Sequence, residues 1–451
     1  MTAALKKSIF LSDDDVTKLI TLPCDYLRFT IPEAHGISRS KVVPKKCIAD
    51  YVETGIAAGN ISTLASPRCN VIPMALLDLS EERFENVFAV PVVDTFRLLP
   101  WAGNGEHKVG QVLCDMFKAK GDELPTPRSV AKAQLGRLTS MGLDLMIGLE
   151  FEFQLFHAET MEPVYKGTDI FADLLFLQNE GILYKIEKAL SDLGIQVQAM
   201  HAEYGDGQFE FVTKPEFGIK ALDNFFRFKL AVKEVCQQEG YIASFMSKPF
   251  PGICTNGTHF NHSLWKDGVN IFSGENDTKK MSEFMKQWTA GLLSHAKAMA
   301  SLCCPSVNCY RRMHDMALPT LCNWGIDNRM ALMRVKNYSP SHTYIESRLP
   351  SGISNPYNVA AATIAAGLDG VTNKLELPKE YDREAAVLPK IFAEALDALK
   401  DDVNFCEALG AEYAKEFIMF KKETEVDIFP HVLGSDDASF AKERDSYFKF
   451  C

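Results

Sequence analysis

The stretch "GLEFEFQLF" (148–156) carries two glutamates, Glu150 and Glu152, inside a run that is otherwise almost wholly apolar. A carboxylate in such company costs stability unless it is paired, hydrogen-bonded or bound to a metal. The composition predicts a strand, in which positions i and i+2 face the same way. Glu150 and Glu152 then share one face, with Phe151 and Phe153 on the other. Two rises of about 3.3 Å set the carboxylates ~6.6 Å apart along the strand. That separation suits two divalent cations side by side. The pattern recurs in three more segments. "MHAEYGDGQFEF" (200–211) offers His201 and Glu203 on one face, a glycine-rich turn, then Glu210 between Phe209 and Phe211. "NGTHFNHSLW" (256–265) aligns His259, Asn261 and Ser263, and "TYIESRLP" (343–350) aligns Glu346 with Arg348.

Taken singly, each segment has an ordinary explanation. An E-x-E pair is commonly a solvated face, a lone histidine is commonly a hydrogen-bonded core residue, and an exposed Glu–Arg pair is worth ~0–1 kcal/mol. Five glutamates and a histidine flanked by aromatics in four separate segments are hard to explain as independent surface accidents. Together they predict a polar cleft floored by a sheet, with the phenylalanines packed behind it. Oxygen-rich, nitrogen-poor donors select Mg²⁺ or Mn²⁺ over a structural zinc. "NCYRRMHDMALPTLCNWGIDNRMALMRV" (308–335) adds Arg311, Arg312, Arg329 and Arg334, the last three among apolar residues. Arginine gives planar, bidentate recognition of carboxylate and phosphate, whereas Arg311 suits pairing with a scaffold acid. Dense acid plus arginine points to a phosphoryl or carboxylate substrate bridged by metal.

The elements that must position these residues fit a chain of 451 residues, 47% hydrophobic and 24% charged. A net charge of −11 argues against nucleic acid or an anionic membrane as the main partner. We find no signal-peptide pattern, and no apolar run of the ~18 residues that a span needs. Twelve scattered cysteines without a C-x-x-C pair read as the reduced thiols of a cytoplasmic protein. Residues 1–18 read as an acidic-ended lead. Two strands around Gly36 (25–44), a helix near 45–57 and two strand pieces in 86–100 predict a small α+β domain over 19–106, closed by the Gly/Asn punctuation "AGNGEH" (102–107). Residues 107–451 form the larger domain, with helical periods over 126–142, 218–240, 282–302 and 355–371 and two or three surface helices in the last 70 residues.

In order, "DYLRFTIPEAHGISRSK", "DTFRLLPW", "PRSVAKAQL", "GLEFEFQLF", "HAEYGDGQFEF", "NGTHFNHSLW", "NCYRR", "WGIDNRMALMR", "IESRLP" and "NPYNVAAATIAAGLDG" resemble the glutamine synthetase family over about residues 20–440. The resemblance implies a β-grasp-like N-terminal domain and a catalytic domain with an antiparallel, strand-floored site. It also implies assembly into two stacked rings, a decamer or dodecamer, with each site between neighbouring subunits. Carried over by motif, Glu152, Glu203 and Glu210 would hold the metal nearer the amino acid, and Glu150, His259 and Glu346 the metal that bridges the ATP phosphates. Arg312 and Arg348 would bind glutamate carboxylates, with Asn256 and Gly257 in the glutamate-binding loop. Arg329 and Arg334 would face the transferring phosphate and the nucleotide, with Asn261 and Ser263 beside the latter.

The departures concern the nucleophile. Ammonia-using members carry a flap glutamate where this chain has Ala317 in "HDMALP" (314–319), and an N-terminal aspartate where it has "GIAAGNIS" (55–62), which holds no acid. The loop before His259 is shortened to "NGTH" (256–259). Loss of both ammonium-site acids beside intact metal and phosphate residues implies a ligase for glutamate and a larger amine. "WGIDNR" resembles the γ-glutamylpolyamine synthetase branch, while "FRLLPWA" and "WTAGLLSHAKAMASLCCPSVNC" resemble lengsin-like members. The alternatives are a non-catalytic, lengsin-like ring protein and an ordinary ammonia-using glutamine synthetase.

Overall fold

The structure, a computed structural model, describes residues 8–59, 65–71, 86–167, 169–274, 281–314, 318–429 and 437–450. Ala317 and residues 60–62 of "GIAAGNIS" lie outside the described residues. Two sheets organise the chain. The first comprises β1 (Tyr26–Pro32), β2 (Ser38–Pro44), β3 (Ile56–Gly59), β4 (Asn86–Leu98) and β5 (Val109–Lys118), in the order β2-β1-β5-β4-β3. β1 and β5 are parallel, and the other pairs are antiparallel. Gly36, at φ +80°, turns the chain between β1 and β2 in a conformation that L side chains rarely adopt.

Four expectations change here. The acidic run at 13–15 starts a helix, Asp13–Thr21, rather than a loose lead: Ser12 caps it, the three aspartates occupy its positive first turn, and Val16 and Leu19 bury into the first core. The segment after β2 makes only a short 3-10 turn, Lys45–Asp50, and 86–98 is one strand with an irregularity between Val92 and Arg97 rather than two pieces. The "AGNGEH" punctuation connects β4 to its antiparallel partner β5, so the first sheet runs to Lys118 rather than ending before residue 107. Glycine and asparagine mark a hairpin connection as readily as a domain border.

Among the described residues the second sheet has ten strands. They are β6 (Asp144–His157), β7 (Val197–Ala202), β8 (Gln208–Thr213), β9 (Glu216–Phe217), β10 (Tyr241–Ser244), β11 (Thr258–Lys266), β12 (Val269–Asn270), β13 (Trp324–Ile326), β14 (Met333–Asn337) and β15 (Thr343–Ser347). The main path is β13-β14-β15-β11-β6-β8-β7, antiparallel except between β13 and β14. One face is apolar: Phe151, Phe153, Phe209 and Phe211 are fully buried against Phe228 and Phe245. Helices Gly218–Gln238 and Pro356–Thr372 belong to this core, and Gly367 and Gly370 of the second, with Gly291 opposite, allow its close approach to Glu283–Ser294. The expected helix over 282–302 is two, Glu283–Ser294 and Ala296–Cys303, meeting at His295. At that junction His295 is held between Asp402 Oδ2 at 2.7 Å and Asp369 Oδ2 at 3.0 Å.

A balanced ion cluster joins the first sheet to helices Pro127–Ser140, Gly218–Gln238 and Pro356–Thr372. Arg128, at the start of helix Pro127–Ser140, donates twice to Asp223 at 2.9 Å and once to Asp115 of β5 at 2.5 Å. Lys132 adds a 2.7 Å bond to Asp115, and the Tyr357 hydroxyl donates to Asp223 at 2.6 Å.

Candidate active site

Strand register assembles the acids. Glu150 lies opposite His259 of β11, and Glu152 opposite Glu210 of β8, which in turn lies opposite His201 of β7. On the other side Asn261 of β11 stands opposite Glu346 of β15, itself opposite Arg334 of β14. Because side chains alternate, this register turns every one of these groups to the face away from the phenylalanines.

The side chains meet in three overlapping groups whose candidate ligand atoms lie within 4.8 Å of one another: Glu150–His259–Glu346, Glu152–Glu210–His259 and His201–Glu203–Glu210. His259 Nδ1 is 2.8 Å from Glu150 Oε2 and 3.8 Å from Glu346 Oε1, and its Nε2 is 3.9 Å from Glu152. Asn261 donates to Glu150 at 3.1 Å. The backbone N–H of Gly257 donates to Glu152 Oε2 at 2.7 Å, and His201 Nε2 is 3.2 Å from Glu203 and 3.7 Å from Glu210. Glu203 and Glu210 thus join through His201, a residue that the i, i+2 spacing on β7 had already set on their face.

Charge is distributed unevenly across this floor. Glu210 is 8% exposed and accepts no hydrogen bond among the described residues. Burial, reinforced by Glu150, Glu152, Glu203 and Glu346, pushes its carboxyl well above the usual range. At the other end burial also opposes ionisation of Glu150 and Glu346, but His259 and Lys336 outweigh it and hold both below the ordinary glutamate value. Glu346, 1% exposed, receives Arg348 at 2.5 Å, Lys336 at 2.6 Å and Arg334 at 3.1 Å. A carboxylate-rich set with two imidazoles, crowded enough to strain one glutamate's ionisation, is the donor chemistry of a hard divalent cation.

The remaining candidates fall into three classes. Arg312 is 4% exposed and donates to the carbonyls of Leu349, Pro350 and Arg348, pinning the chain just after Glu346. It packs so closely on Gly257 that a Cβ there would stand 2.5 Å from Nη2, which explains why glycine occupies that position. Asn256 is fully buried, its amide bonded to Gln154, Met246 O and Gln208, so its side chain holds the loop. Ser263 accepts from the Trp265 indole at 2.9 Å and, with Asn261, Glu150 and Tyr344, lines a cleft of about 380 Å³. Arg334 also pairs with Asp327. Arg329 is exposed and makes no hydrogen bond or ion pair among the described residues, contrary to its apolar sequence surroundings. Arg311 pairs with Glu443 at 2.6 Å, a scaffold role. Sequence reasoning missed Lys336 and Gln208. The signal for Lys336 was its i, i+2 relation to Arg334 on a strand, which sends both to the same face.

A family model described as glutamine synthetase, catalytic domain, matches residues 125–437. The chain is similar to lengsin of Homo sapiens, 32% identical over 416 residues that span 88% of this chain and 79% of that protein. It is also similar to a glutamine synthetase of Clostridium saccharobutylicum, 35% identical over 365 residues, 79% of this chain and 80% of that one. Among solved structures, one described as apo GmaS without ligand matches with a TM-score of 0.78 at 27% identity, covering 89% of this chain and 92% of that one. Fold, acid-lined cleft and these likenesses agree: the chain belongs to the glutamine synthetase family, as a lengsin-like member.

Proposed function

We propose that this chain is an ATP-dependent ligase that joins the side-chain carboxylate of glutamate to an amine larger than ammonia, through γ-glutamyl phosphate. The observation that carries the reading is the convergence of Glu150, Glu152, Glu203, Glu210, His259 and Glu346 on one polar face of the second sheet, beside an open cleft. Glu150, His259 and Glu346 would hold a metal on the ATP side, and Glu152, Glu203 and Glu210 one on the amino-acid side. Bound Mg²⁺ or Mn²⁺ would supply charge neutralisation for the transferring phosphoryl group, the main source of catalysis in such reactions. Asn261, Ser263 and Arg334 line the nucleotide end, and exposed Arg329 is free to turn toward the transferred phosphate. Arg312 and Arg348 would bind glutamate carboxylates, beside the loop that Asn256 and Gly257 shape. The preference for a larger amine rests on Ala317 and on the absence of acid from "GIAAGNIS".

Stacked-ring self-association and a cytoplasmic location complete the proposal; among the described residues no helix is long and apolar enough to cross a membrane. Mass spectrometry of products from glutamate, ATP, Mg²⁺ and a mixture of ammonia, mono-, di- and polyamines tests the reaction. A γ-glutamyl amide of an organic amine is expected, and Glu152→Ala should abolish it while leaving assembly intact. No product with any amine defeats the ligase reading, and a strong preference for ammonium defeats the amine assignment. The lengsin likeness favours a second reading, a non-catalytic assembly. Saturating Mn²⁺ plus ATP should raise the melting temperature of an enzyme and leave such a scaffold unmoved.

A further inference from the structure

The two ends of the acid floor differ in whether they already contain cations. At the ATP-side end, Lys336 Nζ lies 2.6 Å from Glu346 Oε2 and 3.7 Å from Glu150 Oε1, two members of the Glu150–His259–Glu346 group. Arg334 shares Glu346 Oε2, at 3.1 Å, and Arg348 takes Oε1, at 2.5 Å. A carboxylate oxygen offers two lone pairs, so Glu346 Oε2 is filled and Oε1 half filled. Counting Asp327, the partner of Arg334, three carboxylates there face three protein cations. The end is neutral without a metal. At the other end Glu152, Glu203 and Glu210 form no ion pair with lysine or arginine among the described residues; their ion-pair partners are histidines, and Gly257 N–H and Gln208 donate to Glu152.

Of the three cations, Lys336 is the one built to leave. Arg334 is fixed from its far side by Asp327, and among the described residues Arg348 pairs with Glu346 Oε1 alone and not with Glu150. Lys336 carries a flexible four-carbon stem, its side chain is 11% exposed, and its ammonium lies 5.3 Å from the ring centroid of Tyr344, a residue that lines the cleft. We propose that Lys336 is a resident counter-cation of the ATP-side acids, displaced when a divalent cation arrives together with the nucleotide's polyphosphate, toward which the freed ammonium then turns. This inference rests on the two-metal reading above and adds to it a role for Lys336.

Mn²⁺ titration followed by electron paramagnetic resonance counts bound ions without turnover. It would be run on the full chain, first with Mn²⁺ alone and then with Mn²⁺ and β,γ-imido-ATP. Without nucleotide the wild type should bind one tight Mn²⁺ per subunit, and Lys336→Met should gain a second, at least about tenfold tighter than any second ion in the wild type. Lys336→Arg, which keeps the charge, should stay at one. With β,γ-imido-ATP the wild type should bind two ions, and Lys336→Met should hold the nucleotide more weakly. Glu346 keeps Arg334 and Arg348 in Lys336→Met, so the variant leaves no bare buried charge. Two equally tight ions in the nucleotide-free wild type, or an unchanged count in Lys336→Met, overturns the lysine's role while leaving the two-metal reading standing. No Mn²⁺ bound to either protein with or without nucleotide overturns both.

Discussion

Two clusters of buried and half-buried charge behave as opposites. Around Arg128 every carboxylate has a cation or donor of its own: Asp223 receives the bidentate guanidinium and the Tyr357 hydroxyl, and Asp115 receives Arg128 and Lys132. Around Glu210 several carboxylates face one another across paired strands, with imidazole as their nearest counter-group. Buried charge that is matched internally fastens a fold together. Buried charge left unmatched destabilises a fold, and persists where something from outside completes it. The first cluster is a scaffold and the second a receptacle, and the same side-chain chemistry serves both.

The largest expected effect lies in the matched cluster. Arg128→Met leaves Asp223 with no cation, only the Tyr357 hydroxyl, and Asp115 with Lys132 alone, and should cost about 3–5 kcal/mol in chemical denaturation; a loss below about 1 kcal/mol would dissolve the contrast. Next, Glu210→Gln removes a repelling charge. In chelator-treated protein it should raise the melting temperature by about 2–4 °C, yet it should weaken stabilisation by added Mn²⁺. A lowered melting temperature in chelator would place Glu210 with the scaffold. The smallest effect concerns His295, a matched imidazole. Burial works against its protonation, but Asp402 and Asp369 outweigh burial and raise its pKa above the ordinary 6.5. Its contribution is therefore complete below pH ~6.5 and is lost as pH rises through the raised native value. The groups facing it are Asp369 and Asp402, with Phe405 stacked on the ring at 5.3 Å. His295→Asn should flatten the fall in melting temperature over that window, and parallel pH profiles would remove His295 from the account.

The acid floor was legible because strand alternation is a local property. Glu150 and Glu152 on one face, Phe151 and Phe153 on the other, follow from period two alone, and so does the placement of His201 with Glu203. What escaped depends on pairing between distant segments. Lys336 stands in "RVKN" as an unremarkable surface-like lysine, and only the pairing of β14 with β15 brings it to Glu346. β5 lies past the border that "AGNGEH" marks, because turn chemistry reads the same inside a domain as between two. Arg329 looked buried among apolar neighbours, but its segment is a turn where neighbours in sequence need not be neighbours in space. The aspartates at 13–15 read as the end of a lead, although acids at a helix start complement its dipole.

The register that brings Glu150 opposite His259 joins residues 109 positions apart, and Glu346 enters from still farther along the chain. A slip of one residue in β11 or β15 would turn these groups toward the phenylalanines. No part of the acid group therefore exists until strands of wide sequence separation have docked, which is the slow, entropically costly part of folding. A cation that recognises only the finished group has nothing to hold in the folding transition state. Its expected kinetic signature is a longer native lifetime with an unchanged folding rate.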